Sequence, residues 1–248
     1  MDLSALPTAG ELASLGERAR HWRPGLAGAR HGEVFARGNE GSGAAAALAL
    51  ALDGLRAEGD ERVEERAVLW VQDAAAIRLG GRPYRHGLPE ALRRRLIHVS
   101  AKSAEDALFA LEEGVRCRDV AFVLGEIAGN PRALDFVASR RLSLAAEKHG
   151  VALWLVRLDA SRDLSSARMR WEVRSAPSPR PRWNPAAPGR PAWRAELFRS
   201  RVHAPGEWIL RDEANHLAAD RLPTANDPGT PDHVDLAASS GDRSLAAV

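Results

Sequence analysis

Three short runs of this chain are apolar at every position. They are residues 67–71, 120–124 and 151–156, and stretches with the apolar spacing of helices lie between them. A strand that helices cover on both faces has no polar face, so such runs are typical of parallel sheets. The alternation of strands with helices over residues 33–156 predicts an α/β fold with a largely parallel central sheet.

Other elements are marked by their ends. Ser103 stands three residues before Asp106, as in the capping pattern at a helix start. Gly150 follows the last helical stretch, as a C-terminal cap does. A short strand is predicted over residues 96–99, and the glycine-containing residues 79–88 are predicted to form a loop.

The sequence pattern changes after residue 156. Residues 168–174 alternate charged and apolar side chains, which predicts a half-exposed strand, antiparallel and near the edge of the sheet. The proline-rich residues 175–191 are predicted to form a loop. Residues 193–197 and 207–211 are predicted strands, so an antiparallel C-terminal extension of the main sheet is expected.

We divide the chain into three parts. Residues 1–30 are predicted to form an N-terminal helix and arm, and residues 31–212 the core with its C-terminal strand extension. Residues 223–248 are rich in Asp, Pro, Gly, Ser and Ala without periodicity, which predicts a disordered tail.

The chain shows no sign of a membrane or exported protein. It has no run of about 18 apolar residues, and its N-terminus lacks the basic and apolar pattern of a signal peptide. Its single cysteine, Cys117, excludes an internal disulfide and a cysteine-based zinc site. We therefore expect a cytoplasmic protein with no membrane contact.

A glycine-rich loop lies between the first predicted strand and the first predicted helix. Gly38 and Gly43 have the spacing of a P-loop, G-x-x-x-x-G-K-[ST], in which a Lys reaches the terminal phosphates and a Ser or Thr binds magnesium. Here those two positions are alanines. We predict a vestigial loop that binds no cofactor and carries no catalytic residue. Its residues are Gly38, Gly41, Gly43, Ala44 and Ala45.

Two acidic residues follow predicted core strands, Asp73 and Glu126. In P-loop ATPases an acid at a strand end holds magnesium. The position directly after residue 124, where such an Asp would be expected, is Gly125. We therefore interpret both acids as exposed strand-end residues. No H-E-x-x-H pair occurs among the histidines either, so no metal site is expected.

A basic, aromatic segment spans residues 168–201, with nine arginines against two glutamates. Cations with interleaved aromatic rings suit single-stranded nucleic acid, and Trp and Arg also dominate protein interfaces. The alternative is that Trp171 and Trp193 lie in the core and the arginines on a solvated strand face. The candidate partner-binding or DNA-binding residues are Arg170, Trp171, Arg180, Arg182, Trp183, Arg190, Trp193, Arg194, Arg199 and Arg201.

The core resembles RecA without its ATPase residues, because the glycine-rich loop, the strand-end acids and the basic segment follow one another in that order along the chain. More specifically, the chain resembles the ImuA family, the RecA-like partners of the ImuB translesion polymerase homologue, over about residues 30–212. The stretches that carry the resemblance are residues 31–36, 104–113, 138–147, 168–171, 193–197 and 205–208.

The resemblance implies a RecA-like P-loop fold and a role in the SOS response to DNA damage. It implies a non-catalytic accessory subunit of an error-prone translesion synthesis complex, and not an enzyme. The implied partners are an ImuB-type polymerase homologue and an error-prone replicative-type DNA polymerase, with RecA and DNA as further candidates. The alternatives are a SulA-like cell-division inhibitor and a weak nucleotide-binding ATPase switch.

Overall fold

The computed structural model of the protein describes residues 21–26, 29–59, 65–181, 183–184, 186–213 and 216–223. The rest of the predicted N-terminal part and the tail after residue 223 lie outside the described residues, as does the candidate Arg182. Within the described parts of the chain, no helix is both long and apolar enough to cross a bilayer.

The described residues form one mixed sheet of nine strands, in the order β3-β2-β4-β5-β1-β6-β7-β8-β9. All pairings among β1 to β6 are parallel, and β6 to β9 pair antiparallel. This confirms the predicted parallel sheet with an antiparallel C-terminal extension. The strands are β1 (His31–Ala36), β2 (Ala67–Gln72), β3 (Leu96–Ser100), β4 (Val120–Ala128), β5 (Ala152–Leu158), β6 (Met169–Ser175), β7 (Ala192–Ser200), β8 (Gly206–Glu213) and β9 (His216–Leu222).

The helices begin and end largely where their sequence signals indicate. Ser103 Oγ accepts a hydrogen bond from Asp106 N–H at 3.1 Å, and Gly150 has the left-handed φ of 72° that suits a glycine cap. The described helices are α1 (Ser42–Ala57), α2 (Ala74–Gly80), α3 (Glu90–Arg93), α4 (Ala104–Arg116) and α5 (Phe136–His149), with a 3₁₀ turn at Arg85–Gly87.

Two hydrophobic cores lie on opposite faces of the sheet. On one face, α1 packs against β1, β4, β5 and β6, and its core continues over β7 and β8. On the other face, α4 packs on β2 and β4, and α5 on β1 and β5. Because helices cover both faces of the parallel part, β2, β4 and β5 carry apolar side chains at successive positions.

The prediction for β6 is confirmed on one side, where β6 pairs antiparallel with β7, and it is wrong about the other side and about the edge of the sheet. Strand β6 pairs in parallel with β1, from Gly32↔Met169 to Phe35↔Glu172, and three further strands separate it from the sheet edge. Its alternating pattern arises because Trp171 faces the buried core while Glu172 is exposed. The alternating pattern therefore indicated a strand with one solvent-exposed face. It did not indicate a strand at the edge of the sheet.

Candidate functional site

The vestigial loop, residues 38–45, joins β1 to α1 and is packed tightly against the strand ends. A Cβ atom added at Gly43 would lie 2.6 Å from Ala36 Cβ and 3.0 Å from Val156 Cγ1. A Cβ atom at Gly38 would lie 2.6 Å from Asp159 Oδ2. Gly43 is therefore required for close packing, whether or not the loop meets a phosphate, and a Cβ atom at Gly38 would have to displace the Asp159 carboxylate.

Carboxylates of the protein itself hold this loop. The Gly38 N–H donates to Asp159 Oδ1 at 2.9 Å. Glu40 Oε2 accepts hydrogen bonds from Ser42 Oγ at 3.1 Å, from Ser175 N–H at 3.0 Å and from Ser175 Oγ at 2.6 Å. The hydrogen bonds from Ser175 lower the pKa of Glu40. The loop is thus tied to the ends of β5 and β6.

A cavity of about 380 Å³ opens beside the loop. Its wall is formed by the start of α1, the ends of β2 and β4, the turn that follows α2, and residues of β7 and β8. The apolar part of the wall includes Leu48, Leu52, Trp70, Tyr84, Leu88 and Trp193.

The polar wall of this cavity does not fit Mg-ATP. Ala44 and Ala45 put methyl groups where a P-loop has its ammonium and hydroxyl groups. Three carboxylates line the cavity, and Arg82 contributes the single guanidinium among the described residues that line it. A triphosphate would face these carboxylates with no lysine to offset its charge. The carboxylates belong to Glu40, Glu126 and Asp212.

Glu126 lies in β4 and forms the buried end of a hydrogen-bond chain. Its Oε1 atom accepts from Trp70 Nε1 at 2.6 Å and from Gln72 Nε2 at 3.0 Å, and His98 Nε2 donates to Gln72 Oε1 at 2.9 Å. Burial raises the pKa of Glu126 to about 7, against the opposing effect of the two hydrogen bonds, and the nearby Asp73 raises it further. This carboxyl group is therefore partly protonated near neutral pH.

Asp73 is a helix cap. Its Oδ1 atom accepts from Ala76 N–H at 2.6 Å at the start of α2, and the Asp73 N–H donates to Glu126 O. Both strand-end acids are 4% exposed, so the expectation that they are exposed is wrong. Glu126 is in contact with Trp70 and Gln72 of β2, and Asp73 with the first turn of α2, so neighbouring elements cover both carboxylates.

Two of the candidate tryptophans belong to the core. Trp171 and Trp193 are buried, and Trp171 stacks edge-to-face with Trp22 at 4.9 Å and with Trp208 at 5.6 Å between ring centroids. The alternative interpretation, that Trp171 and Trp193 lie in the core, is therefore confirmed. Trp171 offers no surface to a partner, and Trp193 borders only the cavity described above.

Arg170 is also buried, in an ionic cluster that sequence reasoning missed. Its Nε atom donates to Glu33 Oε2 at 2.7 Å, and Arg157 Nη2 donates to Asp163 Oδ2 at 3.1 Å. Ser165 Oγ donates to Glu33 Oε1 at 2.7 Å. Glu33 and Arg170 lie 137 positions apart, so no local pattern could reveal the pair.

The exposed face of β6 to β9 is covered by ion pairs. Arg162 pairs with Glu172 and Glu196, Arg194 with Glu207, and Arg211 with Asp220. Arg174 lies 4.0 Å from Glu207. These four arginines and four carboxylates sum to zero charge. The candidate Arg194 is therefore neutralised where it lies.

Comparison with known proteins identifies the family. Protein ImuA of Caulobacter vibrioides is 34% identical to this chain over 195 residues, in strain NA1000 / CB15N and in strain ATCC 19089 / CIP 103742 / CB 15 alike. The match covers 74% of this chain and 75% of that protein. The chain belongs to the ImuA family. No protein-family model matches it.

Five candidate residues remain on the surface of this ImuA-family chain, at two separate places. Arg180, Trp183 and Arg190 lie in the loop between β6 and β7, and Trp183 is 82% exposed. Arg199 and Arg201 lie at the far end of β7. A nine-residue strand spans roughly 30 Å. The two groups therefore cannot form one compact site.

Proposed function

We propose that the protein is a non-catalytic, RecA-like accessory subunit of a damage-inducible, error-prone translesion DNA synthesis complex. Membership of the ImuA family supports the damage-response role. The RecA-like assignment is supported by the glycine-rich loop between β1 and α1, with Asp73 directly after β2 and Glu126 near the end of β4.

The observation that carries the non-catalytic role is the set of hydrogen bonds that already engage the vestigial loop. Asp159 accepts the Gly38 N–H, and Glu40 binds Ser42 and Ser175. These hydrogen bonds place carboxylates at the loop. A nucleotide site instead needs cations there, to stabilise the phosphates. A weak ATPase switch would require the loop to break these bonds without a lysine to stabilise the bound phosphate.

The loop between β6 and β7 is the proposed contact surface for other proteins of the complex. It carries the exposed ring of Trp183 and the exposed side chains of Arg180 and Arg190, the latter 3.6 Å from Glu213. Contacts within the loop hold its base. Ala176 N–H donates to Ala192 O, and a Cβ atom at Gly189 would lie 2.2 Å from Pro179 O. An exposed aromatic on a braced loop is typical of interface anchors.

A protein partner is favoured over DNA by the charge pattern. Nucleic-acid affinity depends on unpaired cations that replace counterions on phosphates. The arginines on the open face of β6 to β9 are paired with carboxylates. We therefore propose an ImuB-type polymerase homologue as the first partner and the error-prone replicative-type polymerase as the second, with RecA and DNA as further candidates.

Binding of the ImuB-type homologue from the same genome tests this proposal, with purified proteins and biolayer interferometry. Trp183→Ala is expected to weaken binding by at least tenfold, because hot-spot tryptophans contribute about 2 kcal/mol or more. Phe109→Ala, at an exposed aromatic 67% accessible on α4, is the matched control and should bind like the wild type.

Unchanged binding by Trp183→Ala would contradict the proposed surface. Lost affinity for single-stranded DNA, with partner binding intact, would assign the loop to DNA instead.

A calorimetric titration with Mg-ATP tests the non-catalytic role, for which no binding at millimolar nucleotide is expected. Saturable binding in the micromolar range would favour the ATPase switch.

A further inference from the structure

The cavity beside the vestigial loop plays no part in the proposed function, yet it has the properties of a ligand site. Its volume of about 380 Å³ lies in the range of small-molecule pockets. Aromatic rings from three separate segments, Trp70, Tyr84 and Trp193, line its wall together with aliphatic side chains. Flat apolar groups fit such walls, and cations bind favourably over aromatic faces.

The buried polar groups at one end of the cavity are mostly engaged with one another. Gln72 uses its amide nitrogen on Glu126 Oε1 and the Gly81 carbonyl, and its oxygen on His98. Trp70 Nε1 also donates to Glu126 Oε1. Both hydrogen bonds to this carboxyl group therefore end on Oε1. Among the described residues, no side-chain donor binds Oε2.

The charge of the cavity wall selects against anions. Three carboxylates line it, from Glu40, Glu126 and Asp212, against the guanidinium of Arg82. The start of α1 also faces the cavity, but Glu40 binds Ser42 in its first turn and offsets the positive end of the helix. When all these groups are ionised, the wall has a formal charge of −2.

We propose that this cavity binds a small organic cation with a flat apolar body, whose charged nitrogen lies against Glu126. The body of the ligand packs beside Trp70, whose indole N–H donates to Glu126. A free amidine or amine and a basic side chain of another protein share this chemistry. The site is separate from the loop of Trp183, so either proposal can fail without the other.

Several groups affect the charge of Glu126 and of Asp212, another acid of the cavity wall. Glu126 is near Asp73, and His98 and Arg82 lie beyond Gln72. Asp212 is near Arg56, Arg190 and Glu213, and burial raises its pKa. Because burial raises the pKa of Glu126 to about 7, a bound cation is expected to displace a proton from this group near neutral pH.

The test uses three probes of one shape with the full-length protein: benzamidine, benzamide and benzoate, titrated by isothermal calorimetry. Benzamidine is expected to bind at least tenfold more tightly than benzamide, and benzoate more weakly still. Benzamidine should bind about tenfold more tightly at pH 8 than at pH 6, because the ionised fraction of a group with a pKa near 7 rises about tenfold. Equal binding of the three probes would overturn the proposal.

Two variants locate the site. Glu126→Gln keeps an oxygen acceptor for Trp70 and should lose both the cation preference and the pH dependence. Glu147→Gln, at a surface carboxylate paired with Arg168, is the matched control and should keep both. Ala45→Leu fills the cavity from α1 without removing a carboxylate and should abolish binding. A folded Glu126→Gln or Ala45→Leu protein that binds benzamidine normally would refute the assignment.

A second pair of probes identifies the source of the cation. N-acetyl-arginine amide carries the guanidinium of a protein side chain, with peptide groups attached. Binding of this probe together with benzamidine supports entry of a side chain from another protein. Binding of benzamidine alone supports a free small molecule, and binding of neither overturns the proposal.

Discussion

Glu126 and His31 are two buried titratable residues whose pKa values move in opposite directions. Burial raises the pKa of Glu126 to about 7 and lowers that of His31 to about 4. His31 Nδ1 is hydrogen-bonded to Ser143 Oγ at 2.7 Å, whereas its Nε2 atom is buried without a partner. In both cases the fold favours the neutral form, because neither charge has a partner that offsets its desolvation.

The variant Glu126→Gln is expected to be more stable than the wild type at alkaline pH. The folded state holds the proton of Glu126 more tightly than the unfolded state, whose pKa is near 4.5. Its contribution to stability is therefore lost as pH rises from about 4.5 to about 7. The advantage of the variant should grow by about 2–3 kcal/mol between pH 5 and pH 8.

Urea unfolding of both proteins at pH 5 and pH 8 measures this difference. His31 has the opposite effect between about pH 4 and pH 6.5, since its folded pKa is depressed. It acts equally in both proteins, so the difference between them isolates Glu126. A difference that stays constant with pH would show that Glu126 is ionised at little cost in the folded protein.

At the scale of elements, the unit of β1, vestigial loop and α1 is held by packing. Gly43 allows α1 to start against Ala36 and Val156, and Glu40 ties the loop to Ser175 at the end of β6. These contacts need no bound phosphate. Packing alone therefore accounts for the glycine at position 43, whether or not a nucleotide binds there.

Gly43→Ala is expected to destabilise the protein by about 1–3 kcal/mol, because its Cβ atom would lie 2.6 Å from Ala36 Cβ and the helix must shift. Gly80→Ala is the matched control, since a Cβ atom there meets nothing within 4 Å. Chemical denaturation of both variants measures the effect. Equal stability of the two would contradict the packing role of Gly43.

At the scale of the whole molecule, the C-terminal strands are part of one continuous sheet. Strand β6 pairs with β1 on one side and with β7 on the other, and it brings Trp171 and Arg170 into the interior. The antiparallel strands are therefore not a separate docking module. A partner surface must lie on their loops or on their open face.

A chain that ends before Arg168 is expected to lose cooperative unfolding, because it would expose the side of β1 and leave Glu33 without Arg170. Removing one partner of a buried ion pair alone costs about 3–5 kcal/mol. Replacing residues 177–190 by a short Gly-Ser linker should leave the sheet intact, since Ser175 and Trp193 are already paired across the two strands. Circular dichroism melts distinguish the two chains, and a cooperative melt of the truncated chain would contradict this view.

Periodicity and end signals were enough for much of the fold. The wholly apolar runs predicted β2, β4 and β5, and Ser103 and Gly150 marked helix ends. The pattern of residues 168–174 indicated a strand with one polar face. It could not say which strand lies beside it, because pairing between β1 and β6 depends on contacts across more than 130 positions.

The candidate site was likewise predictable from the sequence only in part. The absence of a lysine and a hydroxyl after Gly43 was readable at Ala44 and Ala45, and composition singled out the segment that contains Trp183. Composition could not distinguish Trp183 from Trp171 and Trp193, because exposure is a property of the assembled sheet. Asp73 and Glu126 were expected on the surface and are buried for the same reason.

The sequence alone thus determined the fold class, the family and the absence of the P-loop's chemical groups at residues 44 and 45, since these depend on residue identity and local spacing. Tertiary structure alone decided that Asp159 and Glu40 close the vestigial loop and that Arg170 is neutralised by Glu33. It also decided that a cavity with a protonatable Glu126 lies beside the loop. Burial and pairing arise from segments far apart in the chain, and they set the charge that each group presents.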